Sequence, residues 1–125
     1  MVRADQFYFL DTGTMPWEER FNEHLQRVIP RKDLLRDPAT GVEIRLVRYA
    51  AGFVNPRHTH PCGHGMFVLD GTLATHRETF GPGSFVWFPE GEPMEHGATA
   101  GSDVVVLFIT NKAFRIDYID GPKSV

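Results

Sequence analysis

Cysteine is almost absent: Cys62 is the only one among 125 residues, so no disulfide can form within the chain and its stability has to come from a packed core. A single thiol also agrees with a reducing compartment. Long apolar stretches are missing too. The longest is the six residues Val104 to Ile109, against the ~20 a helix needs to cross a bilayer, and it reads as a buried strand. Positive charge is not in excess, with 13 Lys and Arg against 16 Asp and Glu and a net charge of -3. No basic run carries interleaved aromatics either, which argues against nucleic acid as a partner. The start, Met1-Val2-Arg3-Ala4-Asp5, has no apolar core followed by a small-residue cleavage site; the cytoplasm is therefore the expected location.

What is present points to one ordinary domain. Hydrophobic residues make up 42% and charged residues 23%, proportions that fit neither a disordered nor a membrane-embedded chain. Turn formers recur about every ten residues through the last two-thirds of the sequence, a spacing typical of short strands. They fall at Pro38 to Gly41, Ala51-Gly52, Asp70-Gly71, Gly81-Pro82-Gly83, Pro89-Glu90-Gly91, Gly101-Ser102-Asp103, Asn111-Lys112 and Asp120-Gly121-Pro122. Between them lie β-branched and aromatic runs: Val42 to Tyr49, Met66 to Leu69, Phe85 to Phe88, Val104 to Ile109 and Phe114 to Ile119. Even spacing without helical crossovers predicts an antiparallel sandwich or barrel rather than a parallel α/β sheet.

The first forty residues read differently. Thr14 is placed to cap a short helix with Pro16, Glu18 and Glu19 in its first turn and Phe21, Leu25 and Val28 along one face, ended by Pro30. The alternative is that the same residues drape over the barrel as extended chain. Phe7-Tyr8-Phe9-Leu10 is placed to add an edge strand. The chain is thus read as one domain, with residues 1–40 an N-terminal extension packed on a barrel of residues 41–125.

Chemistry concentrates in the histidines, five of whose six members lie from His58 to His96, and four of these (His58, His60, His64 and His96) carry the argument. His58 and His60 are one residue apart, so on an extended strand both imidazoles project from the same face. His64 keeps that parity and opens the Met66 strand, while His96 follows the Pro89-Glu90-Gly91 turn. A barrel can bring such separate strands together. Neutral imidazoles suit Fe(II), Zn, Ni, Cu and, less well, Mn, whereas Mg and Ca want carboxylates. Three or four of them on a six-coordinate ion leave positions open to water, oxygen or substrate, as a catalytic site requires.

Each of these readings has a plainer rival: a solvated pair for His58 and His60, and a pocket-lining role for His64. Met66, Val68 and Met94 share the inward parity and are candidates to floor an apolar pocket, with core packing as the competing explanation. Cys62, in a turn, reads as a surface thiol. Glu92 and Glu95 read as solvated, and His24 and His76 as surface residues. The alternating Phe85-Val86-Trp87-Phe88 requires cover on both faces, from the N-terminal segment or a second subunit.

At this point the residues resemble the cupin family. Its first motif lines up with Gly52, His58, His60, His64 and Gly71, with His64 standing where the family usually has Glu. Its second lines up with Gly83, Pro89, Gly91 and His96, with two extra residues before His96 that put Met94 at the strict ligand position. An insertion of two preserves strand parity, so His96 still faces inward.

The resemblance implies an antiparallel double-stranded β-helix, the jelly-roll barrel. It implies one divalent transition metal ion (Fe, Zn, Ni or Mn) on His58, His60 and His96 with His64 as fourth ligand, a small-molecule substrate and a homodimer. More narrowly, Leu34 to Gly41, Leu46-Val47-Arg48 and His64 to Gly71 look like a subset that includes dihydroxyacetophenone dioxygenase and the cupin lobe of zinc-binding anti-sigma factors. That likeness implies an iron(II) dioxygenase cleaving a carbon–carbon bond in a small carbonyl or enolate substrate. A redox-neutral isomerase or cyclase and a non-catalytic ligand sensor are the alternatives. His in place of Glu removes a negative charge and leaves the ion more electrophilic. No general acid or base is identifiable. Because ligation needs neutral imidazoles, the ion should be released below about pH 6.

Overall fold

Strict alternation of side chains builds the central strand, where Val104, Val106, Phe108 and Thr110 are buried and the residues between them are not. One face of such a strand has to meet a second layer. The computed structural model, which describes residues 4–119, supplies that layer with eleven strands and, among the described residues, no helix. They are β1 (Glu18–Asn22), β2 (Arg27–Arg36), β3 (Glu43–Tyr49), β4 (Val54–Thr59), β5 (His64–Asp70), β6 (Leu73–Thr75), β7 (Thr79–Phe80), β8 (Phe85–Phe88), β9 (Met94–Ala98), β10 (Val104–Thr110) and β11 (Asp117–Tyr118).

Two antiparallel sheets result. One has six strands in the order β1-β2-β3-β10-β5-β8, the other five in the order β11-β4-β9-β6-β7. From β3 onward nearly every connection carries the chain from one sheet to the other, which closes them into the jelly roll expected from the strand pattern. Met66, Val68, Leu73, Phe88, Met94, Val104 and Val106 fill the space between the sheets. Each such side chain contributes about 1.5–3 kcal/mol on burial.

The helix expected after Thr14 does not form. β1 and β2 make a hairpin instead, in register from Glu18 opposite Arg31 to Asn22 opposite Arg27, and β2 runs on to pair with β3. A two-turn helix is marginal alone, whereas the extended form completes the ladder on β3. Pro30 is accommodated because the β2–β3 pairing begins only at Arg31, so its missing N–H deprives β3 of nothing. The edge strand expected at Phe7 to Leu10 is not formed either. That stretch crosses Leu34, Leu35 and Ile44 as irregular chain, with the Tyr8 hydroxyl donating to the Leu34 carbonyl at 2.6 Å.

Of Phe114 to Ile119 only Asp117–Tyr118 is strand, because Phe114 packs its ring edge-on against Phe108, 5.4 Å between centroids. His76 lies in the turn after β6 rather than in a strand. The turn expected at Asp120-Gly121-Pro122 lies outside the described residues. On β8, Val86 and Phe88 face inward, while Phe85 and Trp87 face out and lie over Gly63 and Gly65, where any side chain would collide with them. The N-terminal segment does not cover them, since the hairpin joins the opposite edge of the sheet. No helix is long and apolar enough to cross a membrane among the described residues.

Candidate metal centre

β4 and β9 are neighbours, with Asn55 opposite His96 and His58 opposite Met94, and an irregularity in β4 between Asn55 and His58. Such a bulge re-aims the side chains that follow it. Gly97 lets the strands approach, since a side chain there would strike the Phe53 carbonyl and Val54. Gly91, with φ 78°, adopts the left-handed conformation that the turn before β9 needs, and its N–H donates to the His60 carbonyl at 3.0 Å. The turn of the second motif is thereby tied to a histidine of the first.

His58, His60 and His96 converge, all buried, with one nitrogen from each within 4.8 Å of the others. His58 Nε2 and His96 Nε2 are 3.0 Å apart, the spacing of adjacent donors on an octahedral ion bound at about 2.1 Å. The far side of each ring is anchored. His58 Nδ1 donates to the Pro56 carbonyl at 2.6 Å and His60 Nδ1 to the Arg115 carbonyl at 2.7 Å. A carbonyl only accepts, so both rings carry their proton on Nδ1 and present a lone pair on Nε2. His60 Nε2 is buried with no hydrogen-bond partner, a vacancy that costs about 1–3 kcal/mol unless something takes the lone pair. Burial also lowers the pKa of each ring, that of His60 to about 4. At neutral pH all three are in the ligating form, and the donor set fits a divalent transition metal.

A cavity of about 230 Å³ opens beside His60 and His96, walled by Arg20, Arg31, Arg45, Tyr49, Phe108 and Phe114 among others. Sequence reading missed the arginines. The helix expected from Thr14 to Pro30 hid the strand parity of Arg20, while Arg45 is in phase with Val47 and Tyr49, which marked it as inward-facing.

The sequence profile of the ChrR cupin-like domain matches residues 5–115. The chain belongs to that family. Among solved structures, this cupin is similar to an RmlC-like cupin protein from Ralstonia eutropha JMP134, with 22% identity, TM-score 0.78, and 96% of this chain and 76% of that chain covered. It is similar to the polyketide cyclase RemF from Streptomyces resistomycificus, with 17% identity, TM-score 0.74 and coverage of 94% and 89%. A putative dioxygenase from Nostoc punctiforme PCC 73102 is also similar, with 18% identity, TM-score 0.75 and coverage of 98% of this cupin but 44% of that chain. Likeness at these identities carries the fold, not the reaction. No curated protein matches the chain.

His64, which stands where cupins usually have Glu, sits beside the three-histidine group rather than within it. Its Nε2 lies 3.2 Å from Met94 Sδ, its Nδ1 is buried without a partner, and its ring stacks on Phe88 at 4.7 Å. Met66, Val68 and Met94 are packed in the core, and the cavity wall is formed by other residues. Cys62 is not the surface thiol expected from its turn: it is fully buried, and burial raises its pKa. It therefore stays protonated and unreactive. His24 and His76 are at the surface, the first stacked on Tyr118 and the second 3.7 Å from Glu92.

Tyr49 was not among the expected site residues. Its buried hydroxyl is 3.2 Å from His96 Nδ1, and a hydroxyl can donate or accept, so it can hold His96 in the tautomer that frees Nε2. Tyr49→Phe is expected to weaken metal binding about 10- to 100-fold in a chelator competition. Unchanged affinity would mean that Tyr49 only packs.

Proposed function

We propose that this cupin is a mononuclear metal-dependent enzyme acting on a small carbonyl compound in its enolate form, with iron(II)-dependent cleavage of a carbon–carbon bond by dioxygen as the leading reaction. The supporting observation is the set of neutral imidazoles, anchored from behind, two of which line a half-open cavity. When bound there, an iron ion supplies Lewis acidity toward an enolate and a route for its reaction with dioxygen.

The remaining work belongs to the chain. The Pro56 and Arg115 carbonyls orient the rings of His58 and His60, and Tyr49 orients His96. Phe108, Phe114 and Ile29 give the cavity apolar wall beside its arginines, with the Phe114 ring 4.9 Å from that of His60. No carboxylate lines the cavity, although Glu18, Asp33 and Glu43 pair with Arg20, Arg31 and Arg45 behind its wall. The His64 ring lies 4.8 Å from that of His60, with its Nε2 turned to Met94 Sδ.

The likeness to a putative dioxygenase supports the first reading. The likeness to a polyketide cyclase, which spans nearly all of both chains, favours a second: redox-neutral cyclisation or isomerisation on zinc, nickel or manganese.

Protein purified without oxygen separates the two, by elemental analysis followed by oxygen uptake on a panel of β-diketones and aryl ketones. Iron with uptake supports the dioxygenase. Another metal with substrate consumed and no uptake supports the second reading. Metal retained without turnover of any kind points to ligand sensing, and failure to retain metal sinks every version.

A further inference from the structure

We propose that the cavity selects small oxo acids, gripping their carboxylate on Arg31 and Arg45 while the oxo group faces the histidines. The second half of that sentence rests on the function proposed above; the first rests on the arginines alone. Three guanidinium groups line the cavity and no Asp or Glu does. Strand register explains this concentration. Arg20 lies opposite Ile29 and Arg31 opposite Val47, so alternate residues of β1, β2 and β3 share one inward face, to which Arg45 and Tyr49 also belong.

Arg45 is 4% exposed, pairs with Glu43 at 2.5 Å and lies over the rings of Phe108 and Phe114, 4.7 Å and 4.6 Å from their centroids. It is held rigidly, with its positive charge close enough to His60 to lower that ring's pKa. Arg31 is less well served. Its Nε and Nη2 are buried without a hydrogen bond, and although Asp33 Oδ1 lies 3.2 Å from Nε, it is not aligned to accept one. Burial first, and then the like charge of Arg45, lower its pKa. Arg45 and the half-buried Arg31 each have a carboxylate beside them, Glu43 and Asp33, yet two buried donor atoms of Arg31 make no hydrogen bond, and such idle donors cost free energy until an acceptor arrives.

A guanidinium fork matches a carboxylate in two parallel hydrogen bonds. At about 230 Å³ the space is below the ~300–1,000 Å³ of sites for drug-sized ligands, which limits the guest to a few carbons beyond its oxygens.

Calorimetric titration of the full chain, zinc-loaded and metal-free, with 2,4-dioxopentanoate and with its methyl ester tests this. Zinc is used because it is redox-inert. The acid is expected to bind the wild type about 10- to 100-fold more tightly than the ester, the range for hydrogen bonds to charged groups. Arg31→Gln should reduce that preference to under about threefold, and Arg31→Lys, which keeps the charge but not the fork, should fall between. Zinc affinity should be unchanged in both variants. The preference should persist in the metal-free protein, so a failure of the histidine site to take zinc would leave the arginine claim standing on its own result. Equal binding of acid and ester to the wild type would overturn the proposal, as would full preference in Arg31→Gln or tighter binding of inorganic phosphate than of the acid.

Discussion

His60→Ala is expected to lower affinity for zinc or iron(II) by about 10²- to 10³-fold and to leave protein purified without oxygen essentially metal-free. Structural zinc sites with four donors bind with roughly 10–16 kcal/mol, which is about 2.5–4 kcal/mol for each donor lost. His60 is the sharpest choice of the three. Its Nε2 is the one with no protein partner, whereas the Nε2 atoms of His58 and His96 form a hydrogen bond across 3.0 Å whenever His96 carries its proton on Nε2 in place of Nδ1. Its ring is also anchored through Nδ1 by Arg115 and its carbonyl by Gly91, from segments distant in sequence. His24→Ala, at the surface, serves as the control and should change nothing. Metal retained at full stoichiometry and affinity in His60→Ala would place the ion elsewhere and remove the basis for any reaction at this site.

The second large effect is acid lability of the metal-free protein. In the unfolded chain histidines take up protons near pH 6.5, but burial holds His60 neutral to about 4 and His64 to about 2. Between pH 6.5 and 4 the unfolded state therefore binds more protons than the folded one, and stability falls as pH falls. Each histidine contributes about 1.4 kcal/mol per pH unit, so these two give about 2.7. Two units of acidification then cost about 5 kcal/mol, comparable with the whole stability of a small domain. Burial lowers His58 and His96 as well, in the same sense.

Urea denaturation across a pH series should show flat stability above about 6.5 and steep loss below it. Zinc should move the loss to lower pH by holding the imidazoles unprotonated. The release near pH 6 that free histidines suggest is thus displaced downward by the depressed pKa values. Stability that stays level from pH 7 to 4.5 without metal would show that the rings accept protons in place.

Much of this was legible because strands announce themselves by parity. The run Val104 to Ile109, the aromatic alternation at Phe85 to Phe88 and the pair His58-Thr59-His60 each carry their face assignment locally, and the two extra residues before His96 preserve it. The hairpin of β1 and β2 was not legible in the same way. Phe21, Leu25 and Val28 match a helical period as well as Arg20, Asn22, Ile29 and Arg31 match a strand, and the choice is made by the open edge of β3, which lies outside the segment.

Cys62 was misplaced because turn residues usually face solvent, while this one is enclosed. Arg31 and Arg45 were passed over for a related reason: charged side chains are rarely buried. His64 shows the limit of motif alignment, which gives a residue's position but not the direction in which its nitrogens point.

The hairpin has an evolutionary consequence. The imidazoles come from residues 58–96, whereas Arg20, Arg31 and Arg45 come from residues 18–49. On the roles proposed above, reactivity and appetite are written in separate passages of the gene, and exchanging the early passage between relatives is expected to change the guest while leaving the three imidazoles in place.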